Sequence, residues 1–144
     1  MFIPFPDFYP KLKTANLKTQ VWCIVRKKWV LFTKEEWVRQ NWLNYLIEVL
    51  KYPPSLIAVE KEIYLGELRK RFDILIYQNS QPFILIECKE QDTVLSEQTI
   101  QQILTYNIKL CVSYMIISNG TQSFGVFIKD GKIYKITKMP QIIK

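Results

Sequence analysis

The chain has 144 residues, of which 49% are hydrophobic, and its formal net charge is +7. This length and apolar content predict a single globular domain over residues 1–144, with a core of its own. The N-terminus lacks the layout of a signal peptide, and no apolar run reaches the ~18 residues of a membrane span, so we expect a cytoplasmic protein. The absence of histidine excludes imidazole zinc sites and Ser-His or Cys-His catalysis.

The charges are unevenly distributed along the chain. Residues 1–34 carry seven Lys or Arg against one Asp, residues 35–107 seven against eleven Asp or Glu, and residues 108–144 six against one. Basic ends around an acidic centre suit a polyanion held near a metal site, although many lysine-rich proteins are basic without such a role. The three cysteines, Cys23, Cys88 and Cys111, predict buried thiols, because they are far apart and lie in apolar stretches.

The N-terminal third predicts an arm, a hairpin and a helix. Residues 1–20 predict an ordered but irregular arm, and residues 20–25 and 29–32 predict two strands around the basic turn 26–28. That turn either contacts phosphate or is a solvated loop. Thr33 and Glu36 form a capping box, which predicts a helix from residue 34 to about residue 51. Its core-facing stripe comprises Trp37, Val38, Trp42, Tyr45, Leu46, Val49 and Leu50, followed by a strand at 56–60 that continues irregularly to Gly66.

The centre of the chain, residues 71–90, predicts two strands joined by a turn over residues 78–82. Symmetric pairing across this turn places Tyr77 opposite Phe83, Leu75 opposite Leu85, and Asp73 opposite Glu87. The residues nearer the turn are apolar on both faces: Ile74, Ile76, Ile84 and Ile86 on one, and Leu75, Tyr77, Phe83 and Leu85 on the other. We therefore expect both strands in the middle of a sheet.

The charged end of this hairpin predicts a metal site. Side chains alternate along a strand, so Asp73, Glu87 and Lys89 share one face. Two opposed carboxylates repel each other, and a divalent cation between them would remove the repulsion. The alternative is a charged rim without a metal, in which Asp73 pairs with Arg71 or Lys89 and Glu87 pairs with Arg69.

The last third predicts a helix and three strands. Ser96 is a suitable N-cap for a helix over residues 97–109, and Gln102 and Tyr106, four residues apart, share one face of it. An apolar strand follows at 111–118, and strands at 123–129 and 132–137 flank Asp130-Gly131, a type I′ turn sequence. No phosphate-binding loop or dinucleotide fingerprint occurs in the sequence.

The order helix, strand, strand with Asp73, strand with Glu87 and Lys89, helix, strand resembles the PD-(D/E)XK nuclease superfamily. More closely, the chain resembles the N-terminal nuclease domain of type I restriction enzyme R subunits, in a stand-alone form. The resemblance is carried by the segments TKEEWVRQ (33–40), LIAVEKEI (56–63), RFDILIY (71–77), ILIECKE (84–90), QILTY (102–106) and YMIISNG (114–120). The chain departs from the family pattern at Phe72, where the superfamily often has proline, and at Cys88, the x position of E-x-K.

The resemblance implies a restriction-endonuclease-like α/β fold with a mixed sheet. Its core would span residues 33–120, between an arm and hairpin at 1–32 and a C-terminal hairpin at 121–144. It also implies a Mg²⁺- or Mn²⁺-dependent deoxyribonuclease in which Asp73, Glu87 and the Cys88 backbone carbonyl hold the metal. Glu36 matches a carboxylate that some members add, and Lys89 would assist the reaction.

The resemblance also implies partners. Gln102 and Tyr106 would support the site and contact the nucleic-acid backbone, together with Lys70 and Arg71. DNA is the expected partner, and a homodimer or a separate motor or specificity subunit is expected by analogy. R subunits continue into an ATP-driven motor, but nothing in this sequence predicts ATP binding. The alternatives are a non-catalytic nucleic-acid-binding module and a nuclease subunit that depends on a partner.

Overall fold

The computed structural model describes residues 1–142 and has a mixed α/β fold, as the sequence predicts. Two residues of the predicted segment 121–144, numbers 143 and 144, lie outside the described residues. The elements in chain order are β1 (Leu12–Ala15), β2 (Lys18–Cys23), β3 (Lys28–Leu31), α1 (Lys34–Asn44), β4 (Ile57–Leu65), β5 (Leu68–Gln78), β6 (Gln81–Cys88), α2 (Glu97–Asn107), β7 (Tyr114–Ser118), β8 (Ser123–Lys129) and β9 (Lys132–Ile136).

The strands form two sheets. One has three antiparallel strands in the order β1-β2-β3, and the other has six strands in the order β4-β5-β6-β7-β8-β9. Only β6 and β7 pair in parallel within the larger sheet, and α2 lies in the crossover between them, as parallel pairing requires. The predicted order of helices and strands is therefore confirmed.

Hydrophobic layers cover both faces of the central strands. Ile74, Ile76, Ile84 and Ile86 are fully buried in a cluster with Trp42 of α1 and with Leu46, which follows α1 in the chain. Leu75 and Leu85 point to the other face and pack in a cluster that includes Leu104 of α2. Burial on both faces explains why this hairpin sequence is an almost continuous apolar run, and it leaves polar groups only at the strand ends.

The first helix begins where the capping residue predicts. The backbone N–H of Glu36 donates to Oγ1 of Thr33 at 3.0 Å, and α1 continues into a π-helical turn at Tyr45–Val49. Of the predicted stripe, Val38, Trp42, Tyr45 and Leu46 are buried, Trp37 and Leu50 are partly buried, and Val49 is exposed. The π turn changes the rotation per residue, which explains why the α-helical pattern is wrong at Val49.

The central hairpin is tighter than predicted. Its turn consists of Asn79 and Ser80 alone, both with positive φ, as in the two-residue I′ turns that match strand twist. The predicted pair Leu75–Leu85 is confirmed. Tyr77, however, lies opposite Pro82 and not Phe83, because the register shifts between Ile76 and Tyr77.

The register shift moves one aromatic side chain to the other face of the sheet. Phe83 packs against the Ile74 cluster, with its ring 5.3 Å from that of Tyr114. It does not share the Leu75 face, as regular alternation predicts. A β-bulge is the physical reason, since one extra residue on a strand reverses the alternation beyond it.

Several boundaries differ from the sequence-based prediction. The N-terminal arm contains the additional strand β1, which turns at Asn16 and Leu17, both with positive φ, into β2. The second helix ends at Asn107, followed by a short 3₁₀ turn at Ile108–Leu110. Cys111 is exposed and left-handed (φ 58°) instead of buried in a strand, because β7 begins only at Tyr114.

The other predicted features agree with the structure. Cys23 and Cys88 are buried free thiols, and Asp130 and Gly131 both have positive φ between β8 and β9. In the described part of the chain, residues 1–142, no helix has the length and apolar character needed to cross a membrane.

Candidate metal centre

Asp73 and Glu87 meet at one end of the central strands. The confirmed register pairs Ile74 with Ile86, so the next residues along each strand are Asp73 and Glu87. Opposed residues on adjacent strands have Cβ atoms about 4.5–5.5 Å apart, so the two carboxyl groups lie side by side. Burial and the neighbouring charge of Asp73 raise the pKa of Glu87 to about 9. The raised pKa favours the protonated form of Glu87 in the metal-free protein.

Two donors fix the orientation of the Asp73 carboxylate. Nη2 of Arg39 donates to Oδ1 of Asp73 at 2.8 Å, and the backbone N–H of Cys88 donates to Oδ2 at 2.8 Å. Cys88 itself is fully buried in the hydrophobic cluster that includes Ile74 and packs against α1. Strand alternation predicts this position for the residue between Glu87 and Lys89. The site is thus held from both sides, by a helix and by the neighbouring strand.

Lys89 follows the last residue of β6 and is fixed through its backbone, whose N–H donates to the Ser118 carbonyl at 2.8 Å. Its positive charge opposes the upward pKa shifts of both Glu87 and Glu35. Burial and then Asp73 raise the pKa of Glu35, whose Oε2 lies 3.9 Å from Nη2 of Arg39. Sequence reasoning missed Glu35, although its position directly before Glu36 on α1 was the available signal.

Glu36 has an internal role in an ion-pair network. Its Oε1 accepts from Nη1 of Arg39 at 2.5 Å, and its Oε2 accepts from Nη2 of Arg26 at 2.6 Å and from Nε2 of Gln40 at 3.0 Å. All four side chains are largely buried. Thr33 caps α1 as predicted, but the Glu36 carboxylate does not complete the capping box, because it accepts from these three side chains. Both Glu36 oxygens already accept hydrogen bonds from cationic or amide groups, and a role for Glu36 as a metal ligand stays a prediction.

Arg39 links this network to the carboxylate pair. Its side chain is only 4% exposed, and Nη2 lies 2.8 Å from Asp73 and 3.5 Å from Glu60 of β4. Burial by itself lowers the pKa of Arg39. The carboxylates of Glu36 and Asp73 raise this pKa by a larger amount, so the net shift is upward. Nη1 and Nη2 thus have acceptors, whereas Nε has none in the described part of the protein. Sequence reasoning missed Arg39, although its place three residues after Glu36 on α1 was visible.

The basic turn between β2 and β3 takes part in the same network. Arg26 donates to Glu36 and, at 3.1 Å, to Oε2 of Glu60. Its Nε also donates to Sγ of Cys23. The first residue of the turn therefore faces the interior, whereas Lys27 and Lys28 are exposed.

The residues expected to contact nucleic acid have different surroundings. The Lys70 ammonium donates to the Tyr106 carbonyl and lies 3.5 Å from the centre of the Tyr106 ring, so Lys70 is buried at the end of α2. Gln102 and Tyr106 are exposed and share one face of α2, as predicted. Arg71 is exposed beside Glu62, at 3.7 Å. Contact of these four residues with nucleic acid stays a prediction.

The donor set fits a hard divalent cation. Asp73 and Glu87 offer carboxylate oxygens, and their mutual repulsion is what a cation would relieve. Among residues 1–142, no group of three or more acidic or cysteine side chains converges on a point that could hold a metal ion. The protein thus supplies two carboxylates, the number with which Mg²⁺ is commonly bound when waters complete the octahedron.

Sequence comparison places this geometry in a family. Residues 34–142 match the model of the type I restriction enzyme R protein N terminus (HSDR_N). The chain belongs to this family. The match spans α1, the whole six-stranded sheet and the carboxylate pair, and it confirms the resemblance to R-subunit N-terminal domains. No curated protein and no solved structure matches the chain.

Family membership shows a restriction-enzyme-related module and a relation to nucleases. The match excludes residues 1–33 and therefore the sheet β1–β3. Within the HSDR_N region, Asp73 and Glu87 lie on neighbouring strands, and Lys89 directly follows the second of these strands. Arg39 of α1 donates to Asp73, and Glu35 lies 3.9 Å from Arg39.

Proposed function

We propose that this HSDR_N protein is a metal-dependent DNA nuclease that hydrolyses phosphodiester bonds. The observation that carries the proposal is the pair of carboxylates, Asp73 and Glu87, at adjacent positions of β5 and β6, where burial and then the charge of Asp73 raise the pKa of Glu87 to about 9. A protein gains nothing in stability from two acids forced together at a half-buried strand end, and strongly shifted groups cluster at functional sites. Family membership supports hydrolysis of a restriction-type substrate.

Asp73 and Glu87 would hold Mg²⁺ or Mn²⁺, and the Cys88 backbone carbonyl would complete the protein's share of the ligands. A bound ion supplies Lewis-acid chemistry, polarising the scissile phosphate and making water more acidic. Arg39 and the Cys88 backbone N–H each donate to one Asp73 oxygen and orient the carboxylate. Each oxygen keeps a second lone pair, which the ion would use. Lys89 places a compact positive charge where negative charge develops on the phosphate.

The test is cleavage of single-stranded, duplex and branched DNA with Mg²⁺, Mn²⁺ or EDTA. We expect metal-dependent cutting that falls by at least about 100-fold in Glu87→Gln and in Lys89→Ala, a loss of the size seen when one charge-stabilising group is removed. Gln81→Ala, which changes an exposed residue at the other end of β6, serves as the control and should cut like the wild type. Cutting that persists in EDTA or in Glu87→Gln would overturn the proposal.

Metal binding is measured separately, by calorimetry with Mn²⁺ and by the change in unfolding free energy. At 100 times its Kd, a ligand stabilises the folded state by about 2.7 kcal/mol, and Glu87→Gln should remove this gain. Absence of both Mn²⁺ binding and cutting would favour a non-catalytic nucleic-acid-binding module. Mn²⁺ binding without cutting would favour a subunit that needs a separate motor or specificity protein. A homodimer remains a further prediction by analogy.

A further inference from the structure

The sheet β1–β3 has one face against the core, and its other face borders solvent and a pocket that Trp22 lines together with Leu43 and Ile47. Val21 and Cys23 of β2 are fully buried, and Val30 of β3 packs against the α1-side cluster. Side chains alternate along a strand, so the neighbouring residues Trp22 and Trp29 lie on the opposite face. They are paired across β2 and β3, with their rings 5.5 Å apart in an edge-to-face arrangement.

The solvent-facing side of this sheet carries lysines beside these tryptophans. Lys13 pairs with Gln20 on β2, and the Lys11 carbonyl accepts from the Trp22 N–H at 2.9 Å, so both lysines share the tryptophan face. Their ammonium groups lie 4.6 Å and 5.9 Å from the centre of the Trp29 ring. We call this surface, formed by Lys11, Lys13, Lys18, Trp22 and Trp29, the Trp-Lys face.

All charged side chains of the sheet β1–β3 are positive. Residues 8–33 contain six Lys or Arg and no Asp or Glu. Of the six, Arg26 turns inward to Glu36 and Glu60. Within residues 1–142, none of the five lysines has a carboxylate within 4.0 Å: Lys11, Lys13, Lys18, Lys27 and Lys28. Five exposed cations without counter-ions on one small sheet are complementary to a polyanion.

We infer that the Trp-Lys face binds single-stranded nucleic acid, with lysines on the phosphates and a base stacked on Trp29. Sheet faces that carry partly exposed aromatic rings among cations are the usual platform for single strands, because every base offers a π face. The sheet lies outside the HSDR_N match at 34–142, so the family does not assign this site. The inference goes beyond the proposed nuclease and does not depend on a metal.

The location of the Trp-Lys face connects it to the carboxylate pair. Arg26, in the turn that joins β2 to β3, ion-pairs with Glu36 of α1 and Glu60 of β4, and Arg39 continues the network from Glu36 to Asp73. The sheet is thus fixed rigidly relative to the proposed metal centre. A strand bound on it would be held at a constant distance from the cleavage site.

The test uses a fluorescein-labelled 20-nucleotide oligothymidylate, measured by anisotropy in EDTA at 50–300 mM NaCl. The double variant Lys11→Glu/Lys13→Glu should weaken binding at least about tenfold and reduce the slope of log K against log salt by about 1.4, or about 0.7 for each lost phosphate contact. The matched control is Lys129→Glu/Lys132→Glu, an exposed cross-strand lysine pair on the β8–β9 hairpin. It changes the net charge equally and should alter Kd less than twofold.

The stacking contact is tested at Trp29. Trp29→Leu should weaken binding about tenfold without changing the salt slope, whereas Trp29→Phe, which keeps a ring, should retain most of the affinity. Thermal unfolding of each variant identifies any loss that comes from misfolding. All of these binding measurements are made in EDTA and require no cleavage, so failure of the nuclease proposal leaves their result unchanged.

Three outcomes would overturn the inference. Equal losses in the two lysine double variants would mean that overall charge, and not this face, attracts the strand. An unchanged Kd in Trp29→Leu would remove the stacked base. Tighter binding to phosphatidylserine vesicles than to oligothymidylate, lost in Lys11→Glu/Lys13→Glu, would assign the face to an anionic membrane surface.

Discussion

Glu36 and Glu87 are two glutamates in the same small region with opposite surroundings. Glu36 accepts hydrogen bonds from Arg26, Arg39 and Gln40, so the fold itself neutralises its charge. Glu87 faces the Asp73 carboxyl group, and burial raises its pKa to about 9. The comparison separates a carboxylate that the protein uses for its own stability from one that the folded protein leaves without sufficient positive charge. The cation of the proposed nuclease would bind at the second carboxylate.

Replacing Glu36 should have the largest effect on stability. Glu36→Ala leaves the guanidinium groups of Arg26 and Arg39 buried without their main partner, and such uncompensated charges cost about 3–5 kcal/mol. Urea unfolding measures the loss. Glu36→Gln keeps two hydrogen-bonding atoms and should lose less. If Glu36→Ala abolished Mn²⁺ binding while the unfolding free energy stayed constant, Glu36 would be a metal ligand after all.

Glu87→Gln should stabilise the metal-free protein, an effect opposite in sign to that of Glu36→Ala. Because the folded-state pKa of Glu87 is raised from 4.5 to about 9, the protonated group contributes stability that is fully present below pH 4.5. That contribution is lost as pH rises through about 9, with a slope of at most about 1.4 kcal/mol per pH unit. The glutamine side chain of the variant resembles the protonated acid at every pH.

We therefore expect wild type in EDTA to become less stable than Glu87→Gln between pH 6 and pH 9. Urea unfolding at several pH values measures the difference, and the two proteins should converge near pH 4.5. Parallel pH profiles for wild type and variant would mean that Glu87 is ionised in the folded state, and the contrast with Glu36 would disappear.

The smallest effect should come from an ion pair on the surface. Lys34 and Asp92 are 2.7 Å apart, but both side chains are about two-thirds exposed or more. Solvent screens such pairs, so Asp92→Ala should change the unfolding free energy by less than about 0.5 kcal/mol. A loss comparable to that of Glu36→Ala would show that burial is not what distinguishes the Glu36 network.

The sequence predicted the order of elements because each one has a local signal. Thr33 and Ser96 cap their helices, Asp130-Gly131 forms its turn, and the apolar runs form the central strands. The pairing of Leu75 with Leu85 followed from symmetry about the turn. The same symmetry gave the wrong partner for Tyr77. The sequence does not distinguish a two-residue turn at Asn79 and Ser80 followed by a bulge from a longer loop without a bulge.

The sequence predicted only those residues of the candidate site whose positions follow from alternation along the strands. Asp73, Glu87 and Lys89 come from neighbouring strands, and a register argument can bring them together. Arg39 and Glu35 come from α1, and their positions depend on how that helix packs on the sheet. No local pattern encodes that packing. A buried arginine is also uncommon enough that a reading based on hydrophobic periodicity treats Arg39 as solvent-facing.

The ion pair between Arg26 and Glu36 has a consequence for where this protein can be cut. The family match begins at residue 34, and a truncation at that boundary would be the obvious choice when preparing the HSDR_N region alone. It would discard Arg26 together with the sheet, and Glu36 and Glu60 would each lose a partner. The region recognised by family comparison is therefore smaller than the region joined by these ion pairs, and moving the HSDR_N region into another protein would break them unless the first 33 residues are included.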